Sequence, residues 1–414
     1  MKGWCRIAVI ACLAAGGCNE QFADPIRGEH VPDNGDPEDP CSAWATEEEC
    51  RADVNNACSV QPSAVGCRSH DPTCPPIACR GGDPFVRRTG ASLTLRGQPY
   101  RFSGANSWGV AYAPDGCRIS EIEDPELAAE RTFDDMAELG VDVLRVWAFQ
   151  SYAGASGRDY AAFERLVAHA RRAGVRLVFV LENQHSDCTE GGRDDEWFRT
   201  GYTAPYGAYA LSYVDYVDGV VEHFRDEPTI LAWELLHEAG SEDFAALNAF
   251  VQQMSTRIRV TDSNHLIAAG IDNGHSSATE NEGPDSNYAA LHAHPTIDLL
   301  DVHDFDDAEE PLNGDQLANF EIARALGKPA MVGAVAVVLT DGSGGTLVAR
   351  AELLRAKLDA AYEHGFAGAL VYDYYPDWMI PGYSFDSRPA DPLGGRNGVV
   401  ARASARFRGA RSER

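Results

Sequence analysis

The sequence predicts an α/β protein, a (β/α)8 TIM barrel over residues 85–407 preceded by a small disulfide-rich module. Three observations predict it. From residue 85 onward, short apolar runs alternate with segments of helical period. Glycines stand just past several of those helical segments, where a left-handed cap is expected. Upstream, six cysteines crowd into Cys41–Cys79, a stretch too small to fold on an apolar core alone.

The chain opens on a processing signal. Lys2 and Arg6 give a positive start, Ile7 to Ala15 an apolar stretch too short to span a bilayer, and Leu13-Ala-Ala-Gly-Gly-Cys18 small residues before a cysteine. That ending resembles a bacterial lipobox, so residues 1–18 are expected to be a lipoprotein signal peptide with Cys18 lipidated. The expected location is the bacterial cell envelope, at the outer membrane or cell surface, with ordinary secretion as the alternative. Contact with the membrane is expected through the lipid only, because no other segment approaches 18 consecutive apolar residues.

Residues 19–40, rich in Asp, Glu, Pro, Asn and Gly, are expected to form a flexible linker. The cysteine-rich module occupies residues 41–80, with Cys41, Cys50, Cys58, Cys67, Cys74 and Cys79 as disulfide candidates. No C-x2-C pair recurs there and His70 is the one local histidine, so staples are favoured over metal. The pairing and any protein partner of this module stay open. Cys117 and Cys188, further along, are expected to join two loops at the top of the barrel.

The barrel segment begins with a hairpin, Phe85–Arg88 and Ser92–Arg96, turning through Gly97-Gln98. Eight strand candidates follow: 100–106, 141–148, 175–182, 229–236, 265–271, 298–305, 329–336 and 368–374. Most are continuous apolar runs, as strands buried on both faces require. Between them, Leu127–Leu139, the Phe163/Leu166/Val167/Ala170 face, Leu317–Leu326 and the Leu353/Leu354/Leu358/Ala361 face precede Gly140, Gly174, Gly327 and Gly365. In this architecture chemistry sits where strands end and βα loops begin. A net charge of -28 argues against nucleic acid or an anionic surface as partner and does not penalise a neutral polysaccharide or oligosaccharide.

At the end of the fourth strand candidate stands Trp233-Glu-Leu-Leu-His-Glu238, after Phe224-Arg-Asp-Glu-Pro. With Gly104-Ala-Asn106-Ser, Leu144-Arg145-Val-Trp-Ala-Phe149, His303-Asp-Phe305 and Gly327-Lys-Pro329 in the same order, the barrel resembles glycoside hydrolase family 5, most of all its endo-β-1,4-mannanases. That resemblance implies hydrolysis of a β-linked, mannan-like glycan by two carboxyl groups about 5–5.5 Å apart, one an acid/base and one a nucleophile. It gives the acid/base role to Glu238. It places substrate contacts at Asn106, Arg145, His237, His303 and Tyr372, with Glu182 reaching the sugar and Trp108, Trp197 and Trp378 as stacking rings. No cofactor and no metal are expected.

The resemblance fails at the nucleophile. The family carries a Glu at the end of the seventh strand, and Lys328-Pro-Ala-Met-Val-Gly-Ala334 puts Ala334 there. His237 replaces the Asn before the acid/base, Phe305 the Tyr that bonds the nucleophile, and Tyr372 the Trp ending strand eight. The expectation is therefore a lipid-anchored glycan-binding barrel with weak or no retaining hydrolysis. The alternatives are an active glycosidase using Glu238 with a substitute carboxylate, Glu182 best placed, and a non-enzymatic surface interaction protein. Asp304 is expected to point away from the barrel axis, because His303 beside it points in.

Overall fold

A computed structural model describes residues 83–112, 117–118, 122–271, 287–305, 311–312, 314–337, 346–376, 384–385 and 392–409. The signal peptide with Cys18, the linker, the cysteine-rich module and Trp378 lie outside them. Among the described residues no helix is long and apolar enough to cross a membrane.

Eight parallel strands form the barrel: β4 (Phe102–Asn106), β5 (Val143–Trp147), β6 (Arg176–Val180), β7 (Ile230–Glu234), β8 (Leu266–Ala268), β9 (Leu300–Asp304), β10 (Ala330–Val335) and β11 (Gly368–Val371). Each falls inside a predicted run. The sheet runs β8-β7-β6-β5-β4-β11-β10-β9, and a parallel bridge from Ala268 to Leu299 closes the ring. Burial of nearly every strand residue explains why these runs carry almost no polar alternation.

The N-terminal end differs from the expected hairpin. Three antiparallel strands, β1 (Val86–Thr89), β2 (Ser92–Leu95) and β3 (Gln98–Tyr100), form a separate sheet. The run 100–106 is broken at Arg101, whose guanidinium leaves the strand to bond the carbonyls of Tyr362 and Phe366 at the barrel floor. Val86, Leu93 and Tyr100 pack with the inward residues Phe102, Val143, Val178, Leu266, Met331 and Leu370, so the small sheet plugs the barrel bottom. Gly368 is part of that plug, since a Cβ there would sit 2.0 Å from the Phe102 ring.

The outer layer comprises α1 (Pro125–Leu139), α2 (Ala161–Ala173), α3 (Asp195–Arg199), α4 (Tyr213–Phe224), α5 (Phe244–Thr261), α6 (Asn287–His292), α7 (Gly314–Leu326), α8 (Leu347–His364) and α9 (Val399–Gly409). Gly140, Gly174 and Gly365 cap α1, α2 and α8 in the left-handed conformation. Asp304 turns out to the helix layer and pairs with Lys357 at 2.8 Å, which leaves His303 facing in, as alternation requires.

Candidate active site

Arg145, midway along β5, organises the upper barrel. Its Nε and Nη2 donate to both oxygens of Glu234 on β7, and its Nη1 donates to Asn106 Oδ1 at 3.0 Å. Asn106 Nδ2 donates in turn to the carbonyl of Gly333 on β10 at 2.9 Å. All of these side chains are buried. Burial raises the Glu234 carboxyl above its usual value against the opposing pull of Arg145. The guanidinium is held as a cation.

The loop after β7 carries His237 and Glu238, with Glu238 at φ 57°. Three histidines surround its carboxylate. His303 Nδ1 on β9 lies 2.7 Å from Oε1, His185 Nε2 lies 2.8 Å from Oε2, and His237 Nε2 lies 3.6 Å from Oε2. On its far side, His303 Nε2 stands 3.3 Å from Asp301 Oδ2, an ion-pair distance without the alignment of a hydrogen bond.

Burial alone would lower the His303 imidazolium, but Asp301 and Glu238 outweigh it and hold its pKa up at about 10. Burial drives His237 the other way, so it is neutral near pH 7. Burial likewise opposes ionisation of Glu238, and its histidine neighbours overcome this and hold it well below the usual carboxylate range. Because His237 is neutral, positive charge beside the carboxylate comes from His303. Near neutral pH Glu238 is a fixed anion in the unliganded site, and a general acid needs a proton it can give.

Ala334 lies at the C-terminal end of β10, buried and paired in register with His303. The position beside the Glu238 partner thus ends in a methyl group. Next to it, a Cβ on Gly333 would meet Asp301 Oδ1 at 2.1 Å, so glycine there is the counterpart of a carboxylate in the barrel interior.

The other predicted contacts divide. Trp108 is half-buried at the rim, 5.1 Å from the Trp147 ring, and its Nε1 donates to Asp373 at 2.8 Å. Trp147 lies 5.6 Å from His237, and Tyr372 lies 5.5 Å from Phe305, so aromatic rings line the mouth on both sides. Trp197 does not join them. It is on α3 rather than in a loop, and it is buried against Phe198, Tyr202, Tyr213 and Phe250. Glu182 is also turned away from the expected role. Its carboxylate pairs with Arg193 at 2.8 Å and accepts from Thr189 Oγ1 and the Asn183 N–H, which braces the loop after β6. That loop is tied to the one after β4 by the expected Cys117–Cys188 disulfide.

Sequence reasoning missed Asp301, Glu234 and His185. Alternation from His303 would have turned Asp301 inward. Glu234 was visible as a charge inside an apolar run. His185 carries no local signal, since only the loop path brings it to Glu238.

With this geometry in view, comparison with known proteins is direct. A family model described as GH family 5 beta-mannosidase-like matches residues 208–308, the stretch that carries β7, Glu238 and His303. The chain is thus similar to glycoside hydrolase family 5, and most of all to its endo-mannanases. Mannan endo-1,4-beta-mannosidase 7 of Arabidopsis thaliana is 26% identical over 276 residues, 56% of this chain, which spans 61% of that relative's length. Mannan endo-1,4-beta-mannosidase 3 of the same plant is 24% identical over 361 residues, covering 73% of this chain and 84% of the relative. Among solved structures, an endo-1,4-beta-mannanase from Rhizomucor miehei shares the fold with a TM-score of 0.60 at 19% identity, covering 78% of this chain and 99% of its own. One from Thermotoga petrophila does so with a TM-score of 0.56 at 19% identity, covering 76% and 78%.

Proposed function

We propose that this family-5 barrel is exported, anchored by lipid at Cys18, and binds a β-linked, mannan-like glycan while performing little or no retaining hydrolysis. The observation that carries the reading is Ala334 at the end of β10, beside His303, where the family resemblance calls for a nucleophile. A methyl group forms no glycosyl ester, and a retaining reaction needs that covalent step. Arg145 is held by Glu234. The rim aromatics Trp108 and Tyr372 supply faces on which pyranose rings stack.

A substitute carboxylate is not favoured, since Glu182 is engaged by Arg193 and Thr189. Export and anchoring rest on Lys2, Arg6 and the Leu13–Cys18 ending. The cysteine-rich module carries no assigned partner.

Isothermal titration with mannohexaose tests binding: saturable heat is expected, and its absence at millimolar sugar would favour a surface interaction protein instead. Fractionation of cells expressing the wild type and Cys18→Ser tests the anchor. The wild type is expected with membranes and the variant in the soluble fraction, whereas identical distributions remove the anchor.

A further inference from the structure

Glu238 and His237 come from the loop after β7 and His303 from β9, 65 residues beyond Glu238, yet each offers a ligand atom within 4.8 Å of the others. We propose that these three residues hold a divalent first-row transition ion such as Zn2+, with the fourth position facing the cleft on the side where His185 stands. Two imidazoles and one carboxylate with an open position form a donor set that suits zinc at bond lengths of about 2.0–2.2 Å.

Independent features point the same way. Asp301 is fully buried, neither of its oxygens has a hydrogen bond, and it faces the far nitrogen of His303. With a metal on Nδ1, that nitrogen becomes the N–H donor and Asp301 its acceptor, the carboxylate–histidine–metal arrangement that orients a ligand. Outside, a groove of about 620 Å³ leads to Glu238 and is lined by His185, Asp194, Asp195, Glu196 and Glu242. Its acidic walls favour entry of a cation. His185, exposed and already 2.8 Å from Oε2, stands at the mouth of that position.

His237 is the weakest of the three ligands. Arg145 Nη2 lies 3.1 Å from its Nδ1 and donates to it, which leaves the ring hydrogen on Nε2, the atom that faces Glu238. Binding a metal there moves that hydrogen to Nδ1 and leaves Nη2 to Glu234 alone.

The test is zinc titration of the full chain after chelator treatment, with no sugar present, read by calorimetry and by metal content. One zinc per chain outside the cysteine-rich module is expected. Glu238→Gln, nearly the same shape, and His303→Ala are expected to weaken that site by at least ~100-fold, and Asp301→Asn by roughly 10- to 100-fold, as loss of an outer partner does. His237→Asn should cost less than His303→Ala. Zinc held by the six upstream cysteines would survive all four substitutions and show thiolate charge-transfer absorption with Co2+. Zinc binding unchanged in Glu238→Gln and Asp301→Asn, or no binding beyond that thiolate site, overturns the proposal, and both variants keep the test open should His303→Ala not fold. The proposal does not rest on the glycan reading, which mannohexaose titration in chelator tests separately.

Discussion

His303 joins two carboxylates, Glu238 at 2.7 Å through Nδ1 and Asp301 at 3.3 Å through Nε2. The residue expected to give a proton to a leaving group is therefore an anion at one end of a charged chain, and the other end is buried in the barrel. Ala334 stands in register with His303 at the centre of this chain.

Gly333 is fixed by Asp301. Gly333→Ala would place a methyl against Asp301 Oδ1, and overpacking of this kind costs about 1–3 kcal/mol. Adding Asp301→Ala should recover part of the loss. A denaturant double-mutant cycle checks this, and strict additivity would show that the two residues do not touch.

The Arg145–Glu234 pair is buried on both sides. Glu234→Gln leaves the guanidinium without its counter-charge, and breaking a buried pair costs about 3–5 kcal/mol. Urea unfolding should show this loss. A cost below about 1 kcal/mol, ordinary for surface pairs, would mean water reaches Arg145.

Asp373 gives the stability curve a pH dependence. Burial, opposed by the Trp108 hydrogen bond, lifts its pKa to about 7. The native state thus keeps a proton that the unfolded chain releases near the ordinary value of 3.8. The resulting stability is fully present below that value and is lost as pH rises to about 7, with a slope of at most about 1.4 kcal/mol per pH unit. Unfolding midpoints of wild type minus Asp373→Asn from pH 4 to 8 should fall and then level. A flat difference would contradict the shift.

The Cys117–Cys188 bond closes a loop across a separation of 71 residues. Replacing both cysteines by serine should cost about 2–4 kcal/mol, mainly by freeing the unfolded chain. Reductant should lower the melting temperature of the wild type toward that of the variant, leaving the variant's own value unchanged. An equal effect of reductant on both would place the sensitive bond elsewhere.

The barrel was legible because parallel strands buried on both faces leave continuous apolar runs, and because Gly140, Gly174 and Gly365 mark helix ends. The break at Arg101 was not, since it depends on carbonyls more than 260 residues away. Glu238, Arg145 and His303 were found through motif and strand register, and the structure brings them together. Trp197 and Glu182 were misplaced for one reason: a short helix after Asp194 and an ion pair with Arg193 consume side chains that in sequence look available. The histidine shell of Glu238 comes from the loops after β6 and β7 and from β9 itself, and no spacing announces it.

Release of reducing ends from β-1,4-mannan tests the central claim most directly. The wild type should release them at a rate indistinguishable from Glu238→Gln. Ala334→Glu combined with His237→Asn and Phe305→Tyr should gain at least ~10-fold, because the members of a catalytic set act as a unit. Wild-type turnover at an ordinary glycosidase rate, lost in Glu238→Gln, would contradict the account.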